Sequence, residues 1–163
     1  GMAISRATVT RYIKTLVDAK ILYECKRFDM KSKKTLSGEQ KYYVADLSFY
    51  YAMNTDNRIN YGPTLENIVY LYARSLDYAV SVGRIGKLEC DFILRDVNMD
   101  YSYVQVAYKI LQGKDTEDRE YRPLESIRDN YKKYVMTTDY ILQKRNGILH
   151  VNLMDFIGGG KRF

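Results

Sequence analysis

The chemistry in this sequence is concentrated in Glu66, Asp91, Gln105 and Lys109. Residues 88–94 alternate with period two, with Leu88, Cys90, Phe92 and Leu94 on one face and Glu89 and Asp91 on the other. Residues 101–109 do the same, Val104, Val106 and Tyr108 opposing Tyr103, Gln105, Ala107 and Lys109. Both runs have strand patterning, and the polar residues 95–100 form the connecting loop. If the apolar faces pack on one core, Asp91 and Gln105 share the opposite face. Lys109 follows on that face, two residues and ~6.6–6.8 Å beyond Ala107 along the strand. A helix carrying Glu66 comes first. Oxygen atoms gathered this way suit Mg²⁺, which takes oxygen ligands at ~2.0–2.1 Å in octahedral geometry. Mg²⁺ in turn activates water and stabilises charge on a phosphate. The alternative is a buried polar cluster whose members hydrogen-bond to one another, and the pattern leaves both open.

The elements that must position these residues follow from spacing. Pro63-Thr64 opens a helix with Leu65, Ile68, Val69, Tyr72, Ala73 and Leu76 as a broad apolar stripe, so it lies against a sheet. Glu66 falls in its first turn, where the helix dipole favours an acid by ~0.3–1 kcal/mol. Residues 78–84 read as a strand and residues 83–87 as a turn. A helix capped by Asp115 or Thr116 runs through Ile127, kinked or split at Pro123. Strands follow at 132–138 and 148–153 around an Asn146-Gly147 turn. His150, the single histidine, is a strand residue, so no Ser–His or Cys–His pair has local support.

The first segment has a different character. Ser5 is the expected N-cap of a helix with Val9, Tyr12, Ile13, Leu16 and Val17 at helical spacing. Two strands follow, residues 21–28 and 41–47, joined by a basic loop over 29–38 with Gly38 as the turn glycine. A helix followed by a ribbon with a basic tip is the second half of a winged helix-turn-helix. In that arrangement Arg6, Arg11 and Lys14 on the helix and Lys31, Lys33 and Lys34 at the tip contact nucleic acid. The competing reading leaves the helix packing between domains and the lysines solvated. Residues 48–53 are a short helical piece, and residues 54–62 are a polar connection between units.

The totals narrow the function. The 163 residues, 46% of them apolar, are enough for one domain or for a domain plus a small appendage. The net charge of +6 favours an anionic partner, nucleic acid before membrane. Tyr supplies 17 aromatic residues and there is no Trp, a composition suited to surfaces and interfaces. Cys25 and Cys90 lie outside any CxxC spacing and read as reduced cytoplasmic thiols. No apolar run is long enough to cross a bilayer, and no signal peptide is present. Gly158-Gly159-Gly160 marks a flexible tail, and no GxxxxGK[ST] phosphate loop occurs. Gly1 before Met2 reads as a remnant of expression. The chain opens almost directly on a helix whose apolar face has no upstream partner, so it is expected to be a C-terminal piece of a longer protein.

Several words of the sequence resemble the C-terminal region of a large group of prokaryotic AAA-type P-loop ATPases. They are Val9-x-x-Tyr12 with Leu16 and Leu22; Lys41-Tyr42-Tyr43-x-x-Asp46-Leu47; Leu65-Glu66-Asn67-x-Val69-Tyr70; Glu89-x-Asp91-Phe92; Tyr103-Val104-Gln105-Val106-Ala107; and Glu120-x-x-Pro123-Leu124. They span nearly the whole chain in the expected order. The resemblance implies an α/β fold: a partial winged helix-turn-helix over residues 1–53, a restriction-endonuclease-like domain with an α-β-β-β-α-β core over 54–157, and a tail over 158–163. In the motif of that fold, an Asp followed by Asp/Glu-x-Lys, Asp91 is the first acid and Glu66 the helix acid. Gln105 then stands at the second acid and Ala107 at the lysine, while Lys109 or Lys87 would have to reach in as substitutes. The resemblance therefore implies a degenerate site, with Glu66 and Asp91 as the residues left to hold Mg²⁺. ATP would bind only in an N-terminal ATPase domain that this sequence lacks. The expected role is nucleic-acid binding, DNA included, or partner binding beside that ATPase domain. An active Mg²⁺-dependent DNA nuclease and a pure protein–protein docking module are the alternatives.

Overall fold

A computed structural model describes residues 4–53 and 60–163, so the expected connection over 54–62 falls largely outside the described residues. The chain runs α1 (Arg6–Asp18), β1 (Leu22–Asp29), β2 (Lys34–Val44), α2 (Leu47–Met53), α3 (Tyr61–Ser75), β3 (Ala79–Ile85), β4 (Leu88–Arg95), β5 (Tyr101–Val106), α4 (Lys114–Glu125), β6 (Lys132–Thr137), β7 (Lys144–Arg145), β8 (Ile148–Asn152) and α5 (Leu153–Gly158). The fold is mixed α/β, and among the described residues eight strands form one sheet of parallel and antiparallel pairs in the order β2-β1-β3-β4-β5-β6-β8-β7. The ribbon β1–β2 is part of this sheet, because β1 pairs in parallel with β3 through Arg27–Val82 and Asp29–Arg84.

The two faces have separate cores. On one, Leu65, Val69, Tyr70 and Ala73 of α3 pack on Cys25, Tyr43, Val82, Phe92, Leu94, Val104 and Tyr134. On the other, Tyr121 and Leu124 of α4 pack with Ile127 on Cys90, Ile93, Tyr103 and Val135. The C-terminal residues 158–163, expected as a flexible tail, close the first core. Phe163 is buried there, Tyr78 donates its hydroxyl to the Phe163 carbonyl at 3.1 Å, and Tyr72 does the same to Lys161 at 2.8 Å. A Phe at the end of a short polar run anchors the run whatever its glycines permit.

The ribbon is longer than expected. Residues 29–38 are not a loop: β1 and β2 pair down to Asp29–Lys34, leaving a turn over residues 30–33. Asp29 stiffens that turn by accepting from the Ser32 N–H (3.1 Å) and hydroxyl (2.6 Å), and Lys33 has φ 56°. Gly38 does not form the turn. The register jumps from Lys26–Gln40 to Arg27–Leu36, and Gly38 at φ 86° takes up the extra residues as a bulge. On α1, Ser5 caps as expected, accepting from the Thr8 N–H at 3.2 Å.

A second bulge matters more. Ser81 pairs with Ile93 and Gly83 with Cys90, so Asp91 and Phe92 together oppose Val82. The strict alternation of β4 fails there: Cys90 joins the α4-side core, whereas Phe92 and Leu94 stay on the α3 side. The expected face shared by Cys90, Phe92 and Leu94 is corrected accordingly.

Candidate functional site

The bulge sets the site. β4 and β5 pair from Arg95–Tyr101 to Phe92–Val104 and no further. Past that point Asp91 replaces the ladder with its side chain: its Oδ2 accepts from the Val106 N–H at 2.8 Å. The Asp91 N–H in turn donates to Gln105 Oε1 at 3.4 Å. Asp91 therefore lies in the gap between two strands, where groups from both faces of the sheet reach it.

From the α3 side comes Lys41, the residue that the sequence reading missed. Its Nζ lies 3.1 Å from Glu66 Oε2, 2.9 Å from Glu89 Oε1 and 3.7 Å from Asp91 Oδ1. Glu89 also pairs with Arg27 at 2.7 Å, and the Tyr43 hydroxyl donates to Glu66 at 3.4 Å. From the α4 side comes the buried Glu120, which accepts from Gln105 Nε2 at 3.1 Å and from Arg119 Nε at 2.9 Å. Glu66, Asp91 and Gln105 thus converge, but not on one face. Gln105 points to α4, Glu66 stands on α3, and Asp91 joins them.

Lys109 is not part of the cluster. β5 ends at Val106, and Lys109 is exposed with its Nζ 5.4 Å from the Tyr108 ring centroid. Glu66 is in the second turn of α3, not the first, because the helix already starts at Tyr61. Its next neighbour Asn67 spends both ends of its amide on Val44, accepting from the N–H at 2.8 Å and donating to the carbonyl at 3.0 Å. That clamp fixes β2 to α3 and so sets Lys41 opposite Glu66.

The electrostatics follow from burial. Asp91 is pushed up to about 7 by burial and by the Glu66 carboxylate, against the pull of Lys41 and the Val106 N–H. Burial works against the charge of Lys41, but the carboxylates of Asp91, Glu66 and Glu89 outweigh it and hold the ammonium above its ordinary range. Among the described residues, the cations Arg27, Lys41 and Arg119 meet the carboxylates of Glu66, Glu89, Asp91 and Glu120. Burial and the crowding of carboxylates thus favour the protonated form of Asp91 more than in an ordinary aspartate. A pocket of about 270 Å³ lined by Tyr43, Leu47, Tyr50 and Pro63 opens onto Lys41 and Glu66. Burial pushes the Cys25 thiol up to about 12 and the Cys90 thiol up as well, so neither is a nucleophile.

Two sequence signals could have revealed the missed groups. Lys41 has the same strand parity as Tyr43, which is buried, so its ammonium needs acids nearby. Glu120 lies one residue before Tyr121 and four before Leu124, an acid on an apolar helix face.

The residues proposed for nucleic acid are all exposed, but they differ in state. On α1, Lys14 is paired with Asp18 at 3.2 Å and the Arg11 guanidinium lies 5.8 Å from the Tyr12 ring centroid. Arg6 begins that helix, and no described residue of α1 is buried. Lys31 and Lys33 lie in the turn and Lys34 at the start of β2. No helix among the described residues is long and apolar enough to cross a membrane.

Residues 1–60 match the family described as "Domain of unknown function (DUF8612)". The chain is 32% identical over 154 residues, 94% of its length, to a Haemophilus influenzae protein described as "Uncharacterized protein". It spans 37% of that relative's length. No solved structure matches the chain.

Proposed function

We propose that the chain is the nucleic-acid-binding C-terminal region of an AAA-type ATPase, built on an endonuclease-like core whose site has kept its layout without its catalysis. The observation that carries this is the position of Lys41 Nζ among the oxygens of Glu66, Glu89 and Asp91. That ammonium neutralises the acids that would otherwise hold Mg²⁺. The other oxygen of Asp91 is engaged by the Val106 N–H, and Gln105 brings no charge. Among the described residues no group of three or more His, Cys, Asp and Glu side chains is placed to hold a metal ion. Nucleic-acid binding is supported by the charge of +6 and by the stiff basic turn of the ribbon.

One observation favours a second reading, an active Mg²⁺-dependent nuclease. Lys41 and Glu120 bring to the cluster the cation and the second acid that Ala107 and Gln105 lack. One experiment tests both readings: duplex binding by fluorescence anisotropy alongside cleavage of supercoiled plasmid with Mg²⁺. The proposal expects salt-dependent binding and no nicking. Nicking abolished by both Asp91→Ala and Lys41→Ala would establish the second reading. Absence of binding to duplex DNA and to RNA would overturn both.

A further inference from the structure

We propose that the polyanion surface is a groove formed where the ribbon turn, the β3–β4 turn and the end of α4 meet, and that α1 is not part of it. The inference rests on the nucleic-acid reading and says where the phosphates lie. Three segments converge there on an apolar floor, for Met30, Ile85 and Ile127 pack in one core. The Met30 N–H donates to the Arg84 carbonyl at 2.9 Å, joining the ribbon turn to β3. The resulting groove, about 310 Å³, is edged by Lys31, Lys33 and Arg128. A second hollow of about 260 Å³ shares Gly86 with it and adds Arg84 and Lys87.

These five cations are exposed, and among the described residues none of them forms an ion pair. The two acids that line the hollows are already engaged. Asp129 accepts from the Tyr103 hydroxyl at 2.6 Å and pairs with Lys133 at 3.2 Å, and Glu89 pairs with Arg27 and Lys41. The positive charge is therefore available for a ligand. It is also held in place: Asp29 locks the ribbon turn, and Arg84 Nε donates to the Gly86 carbonyl at 3.3 Å across a two-residue turn with Gly86 at φ 62°. Preorganised cations lose less entropy on binding than free ones.

The lining selects the kind of nucleic acid. Among the described residues no aromatic side chain lines either hollow, whereas single-strand binding leans on aromatic platforms for the bases. A row of cations on an aliphatic floor suits the phosphates of a duplex, read without sequence. On α1, by contrast, Lys14 already has Asp18.

The test compares the 163-residue chain with two variants in duplex binding across a salt series. One is Lys31→Ala/Lys33→Ala/Lys87→Ala/Arg128→Ala and the other Arg6→Ala/Arg11→Ala/Lys14→Ala. All seven positions are exposed, and circular dichroism checks that both variants fold. The groove variant should bind at least ~10-fold more weakly at 0.1 M salt, and the slope of log K against log salt should flatten by ~0.9 for each phosphate no longer neutralised. The α1 variant should keep both affinity and slope. Replacing the four groove residues with the opposite basic residue, Lys with Arg and Arg128 with Lys, should restore binding. Full binding by the groove variant, with loss in the α1 variant, overturns the groove while leaving the nucleic-acid reading intact. A wild-type chain that binds neither duplex DNA nor RNA overturns the reading and the groove together.

Discussion

Replacing Asp91 with Asn should stabilise the protein, and increasingly so as the pH rises. The carboxyl is 6% exposed and is held at about 7 in the fold, against 3.8 for an ordinary aspartate. A group whose folded pKa is raised contributes stability that is fully present below its unfolded value and lost as pH rises through its folded value. For Asp91 that window runs from about 4 to about 7. The difference corresponds to about 4 kcal/mol at 1.36 kcal/mol per pH unit. Asn keeps an oxygen for the Val106 N–H and removes the charge, while Lys41 retains Glu66 and Glu89 as partners. Asp91→Asn should therefore match the wild type near pH 4 and gain up to about 4 kcal/mol by pH 8.5. At this chain length that is ~8–16 °C in Tm. Urea unfolding of both proteins at pH 4, 6 and 8.5 measures the difference. A variant no more stable than wild type at pH 8.5, or a gain of equal size at all three values, would refute the charge argument. A gain as expected means that Asp91 is held at the expense of stability, the signature of a residue kept for a site.

Other perturbations probe the same cluster and its supports. Lys41→Met leaves Asp91, Glu66 and Glu89 without their shared ammonium and should lose ~3–5 kcal/mol at pH 8; adding Asp91→Asn should recover part of that loss in the same urea titration. Asn67→Ala removes both bonds to Val44 and should cost about 1–3 kcal/mol, with faster amide exchange at Val44 as a local readout. His150 is buried, with Nδ1 accepting from the Gln143 N–H at 3.1 Å and Nε2 2.8 Å from Thr137 Oγ1. Burial holds its pKa below 6.5, so its contribution is intact above pH 6.5 and falls away as pH drops through the folded value. An NMR titration of the ring giving a value of 6.5 or above would contradict this.

Much of the secondary structure was legible because burial imposes a period. The stripe Leu65, Val69 and Ala73 places α3, the alternation in residues 101–106 gives β5, and Asn146-Gly147 marks the turn between β7 and β8. Errors came where one residue outside the pattern decides the geometry. Gly38 reads as a turn glycine in any basic run, and only pairing with β1 shows it to be a bulge. Three terminal glycines suggest freedom until Phe163 is seen in the core. The assignment of Cys90 to the face of Phe92 failed because a bulge leaves no mark in a hydrophobic pattern.

The site shows the same limit with a larger consequence. Sequence parity put Asp91 and Gln105 on one face, and a site built that way would look to α3 alone. The bulge instead puts Asp91 in the gap between β4 and β5, where its carboxyl faces Lys41 and the Glu66 carboxylate on one side, and Gln105 links it to Glu120 on the other. Of the positions considered for the lysine, Ala107 and Lys109 are on the chain segment that carries Gln105 and Lys87 lies in the turn between β3 and β4, whereas the ammonium that reaches the acids comes from β2. β2 belongs to the ribbon whose other end carries Lys31 and Lys33. Glu89 borders both the cluster and the Arg84–Lys87 hollow.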